Sequence, residues 1–319
     1  RNCKLKALRI LVTGVASDIG FGIGKILRDN YPNSFLLGVD IVSNKHSLVG
    51  FDHFKKIDRA DSDAYKESLI HLVKSMKIDI IIPTSEAEIN VFWKKKLVNF
   101  FEKNNVDVLI LSHKIVDISL DKFKTHEFLK NNELEYPNTY LASNFKNQDC
   151  FPMIFKLRSG QGSKGLRILY SFSDLKASEM NDTNIIQELL SDNDNEYTCC
   201  VFSDGKTYRS INIKRKLKDG DTYSGEVVES EKIDSYIVKI SKLLKLKGSI
   251  NIQLRVTNRG PVLFEINPRF SSTVGFRDKL GFKDLLWSMQ LKLEEKVEKY
   301  TKPKKGTKIF RGVEEYIIK

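Results

Sequence analysis

Residues 249–269, SINIQLRVTNRGPVLFEINPR, constrain the fold of this chain more than any other stretch. Ile250, Ile252, Leu254 and Val256 alternate with Asn251, Gln253 and Arg255, the period of a strand with one face on a core and a polar face outward. Turn residues 257–260 follow, and the alternation resumes with Leu263, Glu265 and Asn267 on one face and Val262, Phe264 and Ile266 on the other. Pro268 stops ladder pairing just past the end. Two such runs joined by so short a turn predict a hairpin, with Gln253 opposite or diagonal to Glu265.

That pairing would put three oxygen-bearing side chains, Gln253, Glu265 and Asn267, on one surface. A carboxylate with amide carbonyls, and neither Cys nor His, suits Mg²⁺ or Mn²⁺ that keeps waters and shares phosphate oxygens, and does not suit structural zinc. Arg269 can offer a planar fork to a phosphate or an oxyanion beside them. An ordinary hairpin with its polar residues turned to solvent would show the same pattern.

Glu265-Ile266-Asn267-Pro268-Arg269, with Gln253 upstream, resembles the metal signature of the ATP-grasp superfamily, and most of all its carbamoyl-phosphate synthase large-chain-like branch. The resemblance implies an N-terminal doubly wound parallel sheet, the pre-ATP-grasp domain, over residues 1–115. A two-subdomain α+β ATP-grasp fold would follow over 116–319, with a nucleotide clamp to about 187 and a metal-bearing, catalytic part from 188.

The 319 residues, 41% hydrophobic, are enough for two or three domains with sizeable cores. The 53 basic against 41 acidic residues leave a net charge of +12, which favours anionic ligands. The basic clusters at 94–96, 214–218 and 302–305 lack interleaved aromatics and match no nucleic-acid module, so they read as solvated faces and no specific nucleic-acid partner is expected. Cys3, Cys150, Cys199 and Cys200 show no CxxC spacing and read as reduced thiols in a cytoplasm. The basic residues and short apolar run at the start read as a first strand rather than a signal, and the missing initiator Met fits a trimmed start. No apolar stretch approaches the roughly 20 residues of a membrane span.

Residues 8–12 form a continuous apolar run, as a strand buried on both faces should, and lead into a glycine-rich turn over 13–22. A helix over 20–29, a strand over 35–39 ending at Asp40, helices near 65–76 and 86–103 and strands over 78–82 and 106–111 complete a doubly wound pattern. A dinucleotide site would need glycine at Ala16 or Asp18, so nicotinamide chemistry is disfavoured. Thr84, Ser85, Glu86 and Glu88 follow a strand's carboxyl end, where open sheets place ligands; they also suit a helix cap and first turn.

Further along, Asp121 caps a helix whose Lys122 matches, in the resemblance, a lysine that reaches nucleotide phosphates. A strand over 151–156 ends at Lys156, the loop 159–165 carries Ser159, Gly160, Gly162 and Lys164, and a return strand spans 166–170. Glycines let N–H groups turn toward phosphate oxygens, although a long hairpin turn would look alike, and no helix follows as in a Walker loop. The resemblance implies that Lys156 contacts the nucleotide and that the loop closes over its phosphates; the proline usual after that lysine is Leu157 here. It further implies that the backbone of a hinge strand, Gln187, Glu188, Leu189 and Leu190, meets adenine, and that Glu196 takes the ribose hydroxyls. A hairpin over 197–213 and helices over 232–246 and 283–295 follow, and Arg215 is a candidate cation for the terminal phosphate or an acidic acceptor. Glu226 and Glu229 read as an exposed acidic segment, and the last strand, 308–318, carries no functional sign.

The resemblance therefore implies Mg-ATP (Mn²⁺ as an alternative ion), a small-molecule carboxylate and an amine or thiol nucleophile, and an acyl phosphate intermediate with ADP as a product. Catalysis would rest on Arg269, Lys156 and Arg215. A homodimer is compatible with this. An ATP-grasp kinase acting on a hydroxyl and a non-catalytic nucleotide-binding module are the other readings that the residues leave open. The histidines His46, His53, His71, His113 and His126 have no catalytic neighbours in these motifs.

Overall fold

The computed structural model describes residues 7–146, 150–160, 165–190, 195–218 and 220–312. The fold is mixed α/β: one parallel sheet and two antiparallel ones. The parallel sheet holds β1 (Arg9–Thr13), β2 (Phe35–Asp40), β3 (His53–Lys56), β4 (Ile80–Ile82) and β5 (Asp107–Val108) in the order β3-β2-β1-β4-β5. Helices cover both faces, so Ile10, Leu11 and Val12 of β1 and all of β4 are apolar and buried.

The order reverses between β1 and β4, and there the glycine turn does packing work. Gly14 has φ +62°, and a Cβ on it would come within 2.4 Å of Thr84 Oγ1. Thr84 in turn donates to the Thr13 carbonyl at 2.8 Å, stitching the carboxyl ends of β1 and β4 together.

A four-stranded antiparallel sheet follows, β6 (Thr139–Leu141), β7 (Met153–Leu157), β8 (Arg167–Leu169) and β9 (Asn184–Glu188), in the order β6-β9-β7-β8. The largest sheet holds β10 (Glu196–Ser203), β11 (Tyr208–Lys218), β12 (Asp221–Val228), β13 (Gly248–Thr257), β14 (Gly260–Asn267) and β15 (Lys308–Phe310), in the order β14-β13-β10-β11-β12-β15. The helix Glu231–Leu243, capped by Ser230, lays Ile233, Ile237 and Ile240 on one face of it. On the other face Cys200, Phe202, Ile211 and Ile213 pack with Phe282 and Trp287.

Sequence and structure part at identifiable places. The helix expected over 86–103 is two, Glu86–Lys94 and Leu97–Lys103, because Lys96 sits in the left-handed region at φ 56°. The strand expected over 106–111 pairs only at Asp107–Val108. Glu226 and Glu229 are exposed, as expected, but Glu226 lies on a strand the sequence did not announce, β12, and of the last expected strand Lys308–Phe310 pairs with β12 while 313–318 lie outside the described residues.

One core joins the parallel sheet to the chain's later part. Phe270, Val274, Leu285, Leu286 and Met289 pack with Ile10, Val12, Ile23, Ile80 and Ile82. This contact brings the residues just after β14 beside the carboxyl ends of β1 and β4, and so positions the site.

Candidate functional site

The sheets leave a cleft of about 730 Å³ between them, lined from the parallel layer by Ser17, Asp18 and Ile19, from the four-stranded sheet by Ile154, Lys156 and Ile168, and from the large sheet by Gln253, Glu265 and Asn267. Of the two expected placements, opposite or diagonal, the hairpin takes the first: Gln253 pairs directly with Glu265, and Asn251 pairs with Asn267. The strict alternation of β14 fails at one point. Leu254 pairs with Leu263 while Gln253 pairs with Glu265, so Phe264 is an extra residue in a bulge. Leu263 therefore turns into the core with Ile266, away from the face of Glu265, and Phe264 lines the cleft beside Glu265 and Asn267.

The polar face of the hairpin is buried at Asn251 and Asn267 and half-buried at Gln253 and Glu265. Asn251 and Asn267 are each 1% exposed, and Thr198 Oγ1 donates to Asn251 Oδ1 at 2.9 Å. Neither Oδ1 nor Nδ2 of Asn267 has a partner, and Asn251 Nδ2 has none. A buried polar group without a partner costs about 1–3 kcal/mol. An orphan carbonyl oxygen in the same cleft as a carboxylate and the Gln253 amide is a donor set that fits a hard, oxygen-seeking cation. Among the described residues no group of three His, Cys, Asp or Glu side chains could hold a metal.

Lys156 faces the hairpin from β7. It is 8% exposed, donates to Gln187 Oε1 at 2.7 Å, and Gln187 in turn donates to Thr139. Burial, reinforced by Lys122 and partly offset by Glu265, pulls its pKa down to about 8. Lys122 donates to the Gly160 carbonyl at 3.0 Å, and its backbone N–H donates to the Arg158 carbonyl, so the start of its helix is tied to the loop after β7. Asp121 caps that helix and binds Arg158 at 2.8 Å. Of the loop residues, Gly160 lines the cleft, Ser159 is described and exposed, and Gly162 and Lys164 lie outside the described residues.

Glu196 also lines the cleft, but its oxygens are engaged. Arg215 donates to Oε1 at 2.7 and 3.1 Å, and Arg255 to Oε2 at 3.0 Å. Arg215 reaches on to Gln253 Oε1 at 2.9 Å, so it links the candidate ribose carboxylate to the candidate metal ligand. Gln187, Glu188, Leu189 and Leu190 all line the cleft; the Glu188 side chain is held by Arg259, and the Leu190 carbonyl by Arg255.

Arg269 extends from β14 toward the parallel layer, where its Nη2 meets Glu86 Oε1 at 3.1 Å. Glu86 opens a helix capped by Ser85, and its pKa is raised chiefly by burial, with Arg269 pulling the other way. Glu88, by contrast, is internal: it accepts from Thr13, Tyr65 and Ser85 and holds the glycine turn to the helix. The loop after Arg269 rests on a second layer that the sequence did not disclose. Arg277 and Asp284 form an ion pair at 2.8 Å with both side chains 1% exposed, and Arg277 donates to Ser271 Oγ and Thr273 Oγ1.

Apolar residues missed in the sequence complete the cleft. Ile154 and Ile168 from one sheet and Leu217 and Phe264 from the other offer walls for a flat ring next to the 187–190 segment. Ile168 and Leu217 are 40% and 46% exposed, which only the structure reveals.

The model of the ATP-grasp domain family matches residues 119–273. The carbamoyl phosphate synthase large chain, C-terminal section, of Aquifex aeolicus is 24% identical over 207 residues, which cover 58% of this chain and 38% of that one. Similar large chains from other organisms are covered over 22% and 19% of their length, so this chain spans well under half of these relatives. The ADP complex of N5-carboxyaminoimidazole ribonucleotide synthetase superposes with TM-score 0.72 at 13% identity, covering 93% of this chain and 80% of that chain. Biotin carboxylase from Campylobacter jejuni gives TM-score 0.72 at 14% identity, covering 94% and 74%. These matches show that residues 119–273 form an ATP-grasp domain, that the chain shares the fold of the superposed structures, and that it is similar in sequence to carbamoyl phosphate synthase large chains.

Proposed function

We propose that the chain is an ATP-dependent ligase that joins a small carboxylate to an amine, or to a thiol, through an acyl phosphate. The observation that carries this is the buried, unpartnered Asn267 amide in one cleft with Glu265, Gln253, Lys156, Lys122 and Arg269. Gln253, Glu265 and Asn267 would hold Mg²⁺ or Mn²⁺, which supplies charge neutralisation at the phosphates. Adenine would lie between the Ile154–Ile168 and Leu217–Phe264 walls, against residues 187–190, with Glu196 at the ribose. The division at residue 115, with the clamp ending near 187, is part of the same proposal.

In the first step a carboxylate oxygen attacks the γ-phosphorus and the bridging oxygen leaves with ADP. Lys156, below its lowered pKa, and Lys122 bring positive charge toward the phosphates, and positioning and charge supply most of the acceleration. In the second step the nucleophile attacks the acyl carbon, loses a proton, and phosphate leaves; Arg269 is placed to hold the oxyanion. The shared fold is in keeping with a ligase, since the superposed proteins include an L-amino acid ligase from Bacillus licheniformis.

Hydroxylamine trapping tests the chemistry. A carboxylate-dependent hydroxamate that forms together with ADP is the expected result. ADP with a stable phosphoester and no hydroxamate would replace the ligase by a kinase.

A further inference from the structure

A second cavity, of about 430 Å³, shares Arg269 with the nucleotide cleft. It lies where the segments after β4 and β5 meet the start of β13 and the helix Asp284–Lys292, and its size falls within the roughly 300–1,000 Å³ of small-molecule pockets. Much of its wall is apolar, with Ile89, Leu109, Leu111, Phe270 and Leu291.

Its charged groups are not equivalent. Lys292 is taken up by Glu102 at 2.6 Å and Asp107 at 3.7 Å, so the Asp107 carboxylate already has a counter-charge. Lys247 and Glu294 are both exposed and stand at the rim. Arg269 is paired with Glu86 through Nη2 and with the Phe270 carbonyl through Nη1, but its Nε–H is buried and has no acceptor, while among the described residues no buried side-chain acceptor of this cavity lacks a donor. A ligand that completes the cavity must bring an acceptor rather than a donor.

We infer that this cavity is the acceptor pocket, and that it takes a small carboxylate with an apolar body. Lys247 draws the carboxylate in, the hydrocarbon part lies against Leu109, Leu111 and Leu291, and the carboxylate ends at Arg269, the residue common to both cavities. There it faces the terminal phosphate of a nucleotide in the neighbouring cleft, so the assignment rests on the ligase reading and names the class of its first substrate.

Isothermal titration of sodium hexanoate and of hexylamine into wild type, Lys247→Glu and Leu291→Trp, each also titrated with Mg-ATP, tests it. Lys247 is exposed and outside the nucleotide cleft, so its variant keeps the fold. Hexanoate should bind wild type, at least fivefold more weakly to Lys247→Glu and at least tenfold more weakly to Leu291→Trp, with Mg-ATP affinity within twofold of wild type throughout. Should Leu291→Trp not fold, Lys247→Glu decides alone. Binding of hexylamine in place of hexanoate, equal hexanoate binding to wild type and Lys247→Glu, or no hexanoate heat with Mg-ATP binding intact would overturn the pocket. Hexanoate binding without any Mg-ATP binding would instead leave the pocket and overturn the ligase reading.

Discussion

Arg269 and Glu86 meet at 3.1 Å with their side chains only 14% and 12% exposed, an ion pair that joins the end of the metal-candidate hairpin to the helix after β4 of the parallel sheet. Through it the parallel layer takes part in the site rather than merely flanking it. Truncating one partner of a buried charge pair leaves the other charge uncompensated. Glu86→Ala should therefore destabilise the protein by about 3–5 kcal/mol in urea unfolding. Glu86→Gln, which keeps a hydrogen-bonding oxygen, should cost less while still lowering turnover more than Mg-ATP affinity. Equal stability of Glu86→Ala and wild type would show that the pair does not hold the layers together.

Asn267 predicts an unusual split between stability and function. Replacing a buried polar group that has no partner by an apolar one of similar size removes a desolvation cost, so Asn267→Leu should leave the ligand-free protein as stable as wild type or more stable by about 1–3 kcal/mol. The same variant should lose the Mg²⁺ dependence of nucleotide binding. Paired unfolding curves with and without Mg-ATP would check both halves.

Lys156 predicts the pH dependence. With its pKa drawn down to about 8, it is charged below that pH and neutral above it, so Mg-ATP affinity should fall as pH rises through about 8. Ligand-free stability should move the other way. A buried lysine binds its proton less tightly than the unfolded chain does, so between pH 8 and roughly 10.4 the unfolded state holds more protons and this group's contribution rises with pH. Lys156→Met should abolish both trends and weaken Mg-ATP about 10- to 100-fold, the worth of a charge-assisted hydrogen bond. A flat affinity profile from pH 7 to 9.5 would contradict the assignment.

Arg277 and Asp284 form a fully buried pair that holds Ser271 and Thr273. Arg277→Met should cost about 3–5 kcal/mol and free the 271–273 backbone, read as faster amide exchange there than in the rest of the chain. Slow exchange at 271–273 in a folded Arg277→Met protein would mean that the loop holds itself.

What the sequence disclosed follows from periodicity. That Gln253 and Glu265 lie opposite or diagonal to each other was legible from the alternation and the short turn; counted back from the turn without interruption the ladder would set Gln253 opposite Phe264, and the bulge is what makes the pairing with Glu265 direct. The bulge at Phe264 was not, since an inserted residue leaves the composition of the strand unchanged and shows only in the pairing. Lys156, Lys122 and Glu196 could be named from their order along the chain, but not the bonds that restrain them: Glu196 is gripped by two arginines from neighbouring strands, a contact set by register. The apolar walls and the Arg277–Asp284 pair were illegible for another reason. A leucine or isoleucine in a strand reads as core whichever way it faces, and two charges in short helices read as surface until the packing around them is known.

The central claim is that the hairpin bearing Glu265 binds a metal-nucleotide complex, and thermal unfolding with Mg-ATP, ATP with EDTA, and NAD with Mg²⁺, on wild type and Glu265→Ala, tests it most directly. At a hundredfold its dissociation constant Mg-ATP should add about 2.7 kcal/mol of apparent stability to wild type, with most of that lost on adding EDTA or in Glu265→Ala. No response to Mg-ATP, or a response to NAD that is the same in both proteins, would contradict it.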